Sequence, residues 1–570
     1  MAPRLAVVSL FAAFAVNSFG GTTDITFNKD IAPLVLGHCS NCHRPGQSGP
    51  FPLLTYAVVK KRARQISEVT ARHYMPPWLP EGPRDEFLGD RRLSDAQIAL
   101  FRRWFEQGAP EGRAEDLPLM PHWTNGWQLG KPDLVVQMPR PYTLPADGRD
   151  VYRNFVIPVS LPGPRYVRAV ELQPDNLRIV HHAFVKVDPT GEVRKLDGKD
   201  GQPGFGGMEL PDKVQTPSGC FLSWQPGKMP SSDAPGFGWT LKPGEDLVLQ
   251  AHLRPTGKPE PLQARVGLYF TDVPPTNTTM VFVLCSLSID IPAGTNGYLV
   301  EDSLMLPVDV DLLAILPHTH YLGKKLEGWA VFPGGARQEL LSIPDWDFNW
   351  QGDYRYAHPV HLPAGTLLQM RYLYDNSSEN PRNPNQPPKE VRYGPQSSDE
   401  MAELWFQGQL KGTNDLEQLA RASNEHKARI FADYAQFRLE RDPHDARART
   451  ELGFIQWTQG NLQSAIGSFR TAIADDPTYD QPHYYLGVIH RIEKDLADAQ
   501  TEFQTAIKLN PNNSKAFGNL AFVFLDQGNL SAAEENLRRV LALNPADELA
   551  RGTLRELLDR KSGKDASKPH

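Results

Sequence analysis

The chain has 570 residues, of which 40% are hydrophobic and 22% charged, and its formal net charge is -7. That length exceeds what a single core accommodates, and domains of ordinary size make it about three to four units. The acidic balance offers nucleic acid no electrostatic footing, and no run of basic residues outlines a groove for it.

The first residues, "MAPRLAVVSLFAAFAVNSFGG", place one Arg ahead of an apolar run from Leu5 to Val16, followed by small residues that suit cleavage before Gly21. Residues 1–20 are expected to be an export signal, the alternative being a buried N-terminal helix of a cytosolic protein. The run is shorter than the roughly 20 residues a membrane helix needs, and no later segment reaches that length. A periplasmic or secreted protein without a membrane span is the expectation. Of the four cysteines, Cys39 and Cys42 form a local motif, which leaves Cys220 and Cys285 either as a disulfide or as two free thiols.

Residues 24–112 show helical periodicity around "CSNCH" and end in "AQIALFRRWFEQGAPEG", an amphipathic helix stopped by Gly and Pro. Cys39, Cys42 and His43 form C-x-x-C-H, in which two thiols add to the haem vinyls and the His ligates the iron. One motif implies one covalently bound haem c; a zinc or redox dithiol is the rival, without a second cysteine pair nearby. Met75, in "HYMPPWLP", is the expected sixth ligand because a thioether suits Fe(II) and raises the potential, with His73 as the alternative. This stretch resembles a class I cytochrome c, which implies an all-α domain.

From 124 to 412 the pattern changes to alternating strands such as "DLVLQAHLRP" and "TLLQMRYLY", broken by Pro-Gly turns. Antiparallel sandwiches follow, with room for two and a hinge near "TDVPPTNTT", 271–279. Within this region lie His181 and His182 in "RIVHHAFVKV", His252 in "LVLQAHLRP", His318 and His320 in "LPHTHYLG", and Met401 in "SSDEMAELWF". Residues two apart on a strand share a face, so His318 and His320 aim at one spot. Adjacent His181 and His182 face opposite ways unless the backbone is twisted there or one ring binds through Nδ1. Imidazoles favour Cu, Zn or Fe, whereas a thioether prefers a soft ion such as Cu(I), so a Met grouped with two His points to copper. A zinc hydrolase would need an open site with a carboxylate base, and Met401 argues against it. His122, His358, His361 and the histidines of the last third read as structural.

Taken in order, H-H, then L-Q-x-H, then H-T-H-x-L-G-K, then D-E-M, the region resembles the copper type II ascorbate-dependent monooxygenases, the group that contains peptidylglycine alpha-hydroxylating monooxygenase and dopamine beta-monooxygenase. The resemblance implies two all-β jelly-roll sandwiches, 124–275 and 279–412, facing each other across a solvent-filled cleft. It implies two copper ions: an electron-transfer copper on His181, His182 and His252, and a copper binding O2 and a small-molecule substrate on His318, His320 and Met401. The implied reaction is hydroxylation of a C–H bond with O2, its electrons coming from an external donor; the haem on the same chain would be a built-in relay. The peptide-acting members carry an Arg two residues before H-T-H, where Leu316 stands here, and polar and Tyr side chains where Glu403 and Trp405 stand. Peptidyl-glycine is therefore not expected. Glu403 could attract an amine and Trp405 stack on a ring, or both could pack. The rival function is a haem/copper electron-transfer or copper-binding scaffold protein without turnover.

Residues 413–445 read as a charged helical linker. Beyond it Pro443, Pro477, Pro511 and Pro545 recur at a spacing of 34, as do Leu452, Leu486 and Leu520, and Ala465, Ala499 and Ala533. That period resembles the tetratricopeptide repeat, which implies an all-α solenoid over 446–561 with 547–561 as its capping helix. Such an array serves as a surface for a protein partner or as a stabilising spacer.

Overall fold

The computed structural model describes residues 24–123, 126–211, 213–217, 221–230, 232, 236–545 and 547–562. The expected export signal at 1–20 and Cys220 lie outside them, and Cys285 is a half-buried free thiol.

The N-terminal part has few helices. Phe27–Ile31, Ala32–Leu34 and Val35–Cys39 follow one another as a single helical stretch and pack with Tyr56–Lys61, Ala63–Ala71 and Asp95–Glu106. Phe27, Ile31, Val35, Val59, Phe101 and Trp104 form their common core. The last helix starts where the sequence dictates, at a capping box in which Ser94 and Gln97 satisfy each other's backbone N–H groups. Between Ala71 and Asp95 the chain leaves this core. Phe87 is buried among the residues of a β-domain, and Glu81 N and Leu88 N donate to Ser342 O and Arg355 O, each at 2.8 Å.

The central region is all-β and antiparallel, in two pairs of sheets. In the first pair, Leu134–Gln137, Arg265–Thr271, Arg165–Gln173 and Trp239–Leu241 make one sheet. Phe205–Gly206, Val151–Pro158, Asp246–Leu253, Val180–Asp188 and Ser223–Trp224 make the other. Val167, Leu247, Leu249, Leu253, Val266 and Leu268 fill the space between them. In the second pair, Thr278–Cys285, Glu403–Leu410, Val310–His318 and Tyr354–Leu362 face Asn296–Met305, Leu367–Asp375, Gly323–Val331 and Arg337–Ile343. Their core is Phe282, Leu312, Ile315, Leu326, Tyr372 and Phe406. The chain crosses from one pair to the other between Thr271 and Thr278.

One irregularity decides the chemistry. Along Val180–Asp188 against Asp246–Leu253, Val180 pairs with Leu253 and His182 with His252, so His181 is an extra residue in a bulge. A bulge re-aims side chains and breaks the alternation of faces.

The helix Thr413–Arg441 packs on the second sheet pair, and its later turns, at Ala435 and Leu439, also pack on Ala448 of the next helix. Leu419 is buried in that core, His426 Nε2 lies 2.8 Å from Asp302 Oδ2, and Arg441 pairs with Asp290. Three helical hairpins follow: Ala446–Thr458 with Leu462–Asp475, Asp480–Ile492 with Leu496–Leu509, and Ser514–Asp526 with Leu530–Leu543; Glu548–Lys561 closes the array. Ala465, Ala499 and Ala533 are fully buried where helices approach closely. No described helix is long and apolar enough to cross a membrane.

Candidate metal centre

The bulge turns His181 toward the side that His182 and His252 share. Ring centroids are 5.2 Å apart for His181 and His182, 5.1 Å for His181 and His252, and 4.8 Å for His182 and His252. Each ring offers one nitrogen, and the three nitrogens lie within 4.8 Å of one another. His181 Nδ1 and His182 Nδ1 stand 3.1 Å apart. His252 donates from Nε2 to Asp150 Oδ2 at 2.9 Å, which leaves Nδ1 bare: it is buried and has no hydrogen-bond partner among the described residues.

The second group is built the same way. His318 and His320 have centroids 5.2 Å apart. His318 Nδ1 donates to Gln351 Oε1 at 2.8 Å and His320 Nδ1 to the Asp399 carbonyl at 3.0 Å. The His320 Nε2 that remains is buried and without a partner among the described residues. Met401 is 3% exposed and lines the same cavity as His318. The carboxylate of Glu400 holds the turn in place, accepting from His320 N at 2.9 Å, Leu322 N at 2.6 Å and Thr319 Oγ1 at 2.8 Å.

One nitrogen tied to an oxygen acceptor and the other left bare is how a protein orients an imidazole for a metal ion. Electrostatics agree. Burial, reinforced by neighbouring histidines, holds His181 and His182 well below the ordinary imidazole range. Burial also lowers His252 against the pull of Asp150, and brings His320 down to about 3. All four are therefore neutral, the form that binds metal. Asp150 is pushed up by burial, but the hydrogen bonds from His252 and Ser397 outweigh it and keep the carboxylate charged.

The two groups are not separated by the solvent-filled cleft that the family resemblance implies. The rings of His182 and His318 are 6.0 Å apart, and Phe348 stacks on His181 at 4.3 Å while touching His320 at 5.3 Å. Cross-links between the sheet pairs close the gap. Ser397 Oγ donates to Asp150, and Lys228 Nζ pairs with Asp353 at 2.5 Å while Ser223 Oγ donates to the same carboxylate at 3.0 Å. What remains is a cavity of about 180 Å³ on which His182, His252, His318 and Met401 all open, walled by Phe184, Val281, Leu316 and Trp405. Glu403 and Trp405 bond to each other, Trp405 Nε1 donating to Glu403 Oε2 at 2.8 Å. Sequence reasoning missed Asp150, Gln351, Ser397 and Lys186. Asp150, Gln351 and Ser397 stand in no periodic pattern, Lys186 shares the strand alternation of His182 without a ligand's chemistry to mark it, and Glu400 was visible only as a neighbour of Met401.

At the haem motif, His43 N donates to Cys39 O at 2.9 Å in a tight turn, and Cys39 and Cys42 are free thiols. Burial pushes the Cys39 thiol up to about 12. His43 Nδ1 donates to the Phe51 carbonyl at 3.0 Å, leaving Nε2 for a ligand, and burial lowers its basicity. This donor set fits a covalently attached haem. Met75 is not brought into the same cavity: Cys42 opens on one of about 390 Å³ with Arg44 and Lys228, whereas Met75 and His73 open on another of about 850 Å³ with Trp350. Cys42 also meets the first sheet pair, since a Cβ on Gly227 would stand 3.2 Å from its Sγ.

The tetratricopeptide repeat family matches residues 432–480 and 490–557, the first match beginning inside the docked helix. No curated protein matches the chain. Solved structures similar to it include the first TPR of Spaghetti (RPAP3) bound to an HSP90 peptide, at 23% identity over 21% of this chain and 96% of that one, with a TM-score of 0.21. The crystal structure of MamA is similar at 20% identity over 27% of this chain and 86% of that one, with a TM-score of 0.22. The C-terminal region of the chain carries tetratricopeptide repeats.

Proposed function

We propose that the chain is an exported copper-dependent monooxygenase that hydroxylates a C–H bond of a small molecule with O2, and that a haem c on Cys39, Cys42 and His43 relays electrons to it from an external donor. The observation that carries this reading is the pair of buried, unpartnered nitrogens, His252 Nδ1 and His320 Nε2, one in each cluster of ligand side chains. His181, His182 and His252 would hold one copper ion and His318, His320 and Met401 the other. Copper there supplies one-electron chemistry and O2 binding. The protein's own part is to fix tautomers through Asp150, Gln351 and the Asp399 carbonyl, and to offer a soft thioether at Met401. The largely apolar cavity wall would limit water beside the reacting bond. The nearness of Cys42 to Gly227 of the first sheet pair supports the relay. The repeats supply a surface for a protein partner, and the chain's site of action is the periplasm or the exterior.

The copper content of the full chain tests the site. Metal analysis is expected to give two ions per chain, falling by one in His252→Ala. Oxygen uptake by the copper-loaded, reduced protein is expected to disappear in Met401→Ala. Full uptake in that variant would remove the second group from the reaction, and two copper ions with no uptake in the unaltered protein would leave an electron-transfer or copper-holding protein.

A further inference from the structure

His182, Phe184 and Lys186 alternate along Val180–Asp188, so a strand that delivers a metal-binding ring to the cavity also delivers an aromatic ring two residues on and a cation four residues on. All three line the cavity. Lys186 and Glu403 are the only charged side chains among its described lining residues. They are not equivalent. Glu403 is engaged by Trp405 Nε1. Lys186 Nζ has neither a hydrogen bond nor an ion pair among the described residues, and burial lowers its basicity.

Glu403 acts on this ammonium only through space and is itself held by Trp405, so a ligand that pairs with Lys186 directly would relieve the cost of its burial. Two further observations fix the sign of that ligand. Imidazole and thioether donors bring no negative charge to a bound metal ion, and only the Asp150 carboxylate behind His252 partly offsets it, so an ammonium substrate would be repelled where an anion is drawn in. Gln225, 6% exposed on the same wall, has an amide oxygen with no partner among the described residues. Rotation of that amide exchanges its oxygen for an N–H donor. Phe184, Phe221, Leu222 and Val281 give the wall its apolar surface.

We propose that the substrate is a small, largely hydrocarbon carboxylic acid whose carboxylate is received by Lys186, with Gln225 beside it, and whose apolar body lies toward His318 and Met401. This rests on the proposed site, and it assigns Lys186 as the residue that sets substrate class.

Phenylpropionate, phenylpropanamide and phenylpropylamine share one body and differ in the charge of their head. Their binding to the full chain is read by anaerobic calorimetry, copper-loaded and again metal-free. The acid is expected to bind about tenfold tighter than the amide, with the amine weakest, the size of effect a buried charge pair gives. Lys186→Met should bring the acid down to the amide and leave the amide unchanged, whereas Lys186→Arg should keep the preference. The inference is overturned if the amine binds tightest, if acid and amide bind alike or not at all in the unaltered protein, or if the preference survives in Lys186→Met. Copper content and oxygen uptake are read separately. Two ions and full uptake without acid preference sink this inference alone, and acid preference without uptake sinks the enzyme reading alone.

Discussion

The imidazole of His182, on the first sheet pair, lies 6.0 Å from that of His318, on the second. Two cores that fold around separate sets of side chains thus present their polar edges to a single small space. The arrangement depends on few contacts: Ser397 with Asp150, Lys228 with Asp353, and the ring of Phe348 between His181 and His320.

Asp150 has two partners, His252 and Ser397, and the two roles can be separated. Asp150→Asn no longer favours the tautomer that leaves His252 Nδ1 bare, and copper affinity of the first group is expected to fall about 10–100-fold. Ser397→Ala removes only the cross-link and should stay near the original affinity. Competition with a chelator measures both; equal losses would mean that closure, not the tautomer, governs binding.

Glu400 is fully buried and accepts from the backbone N–H groups of His320, Leu322 and Met401 and from the Thr319 hydroxyl. Glu400→Ala strands those donors, and at about 1–3 kcal/mol for each the second sheet pair is expected to lose roughly 3–5 kcal/mol. Calorimetry of the full chain should show its transition moving down by many degrees. A shift worth less than about 1 kcal/mol would mean that water replaces the carboxylate.

The metal-free protein should weaken in mild acid. The folded state keeps His181, His182, His252 and His320 neutral, while the unfolded chain takes up protons below the ordinary value of 6.5. Stability is therefore lost as pH falls through 6.5, by about 2 kcal/mol between pH 7 and 5 for His320 alone. Glu400 works in the opposite sense, since burial pushes it up to about 7 and its contribution declines as pH rises from 4.5. Four imidazoles outweigh one carboxyl, so urea midpoints are expected to be lower at pH 5 than at pH 7. A flat or inverted profile would place protons on the cluster in the folded state.

In the repeats, a Cβ on Gly487 would stand 2.8 Å from the ring of Phe503, whereas one on Gly467 meets nothing within 4 Å. Gly487→Val is expected to cost about 1–3 kcal/mol through overpacking. Gly467→Ala, on an exposed helical position, should be neutral or stabilising by up to about 1 kcal/mol. Thermal unfolding of the helical region compares them. Equal effects would show that the hairpin relaxes around the ring.

What could be read in the sequence was what repeats or alternates. The spacing of 34 between Pro443 and Pro545 announced the hairpins, and the alternation around His318 and His320 put both rings on one face. The doublet at 181 and 182 could not be resolved that way. Whether two adjacent rings converge depends on how the strand registers against His252 some 70 residues away, and that register is set by two cores packing at once. The cross-links escaped for the same reason: Asp150 and Ser397 are 247 residues apart and meet only because the sheet pairs do. Thr413–Arg441 read as a linker because its charge was visible and its docking side was not.

That helix has one more consequence. Leu419 sits in the core of the second sheet pair and the first repeat match begins at 432, so the solenoid springs from a beam set in the β-domain rather than from a tether. Whatever the repeats grip is presented at one bearing and one distance from the histidine cavity. The array thus acts as an arm of fixed reach.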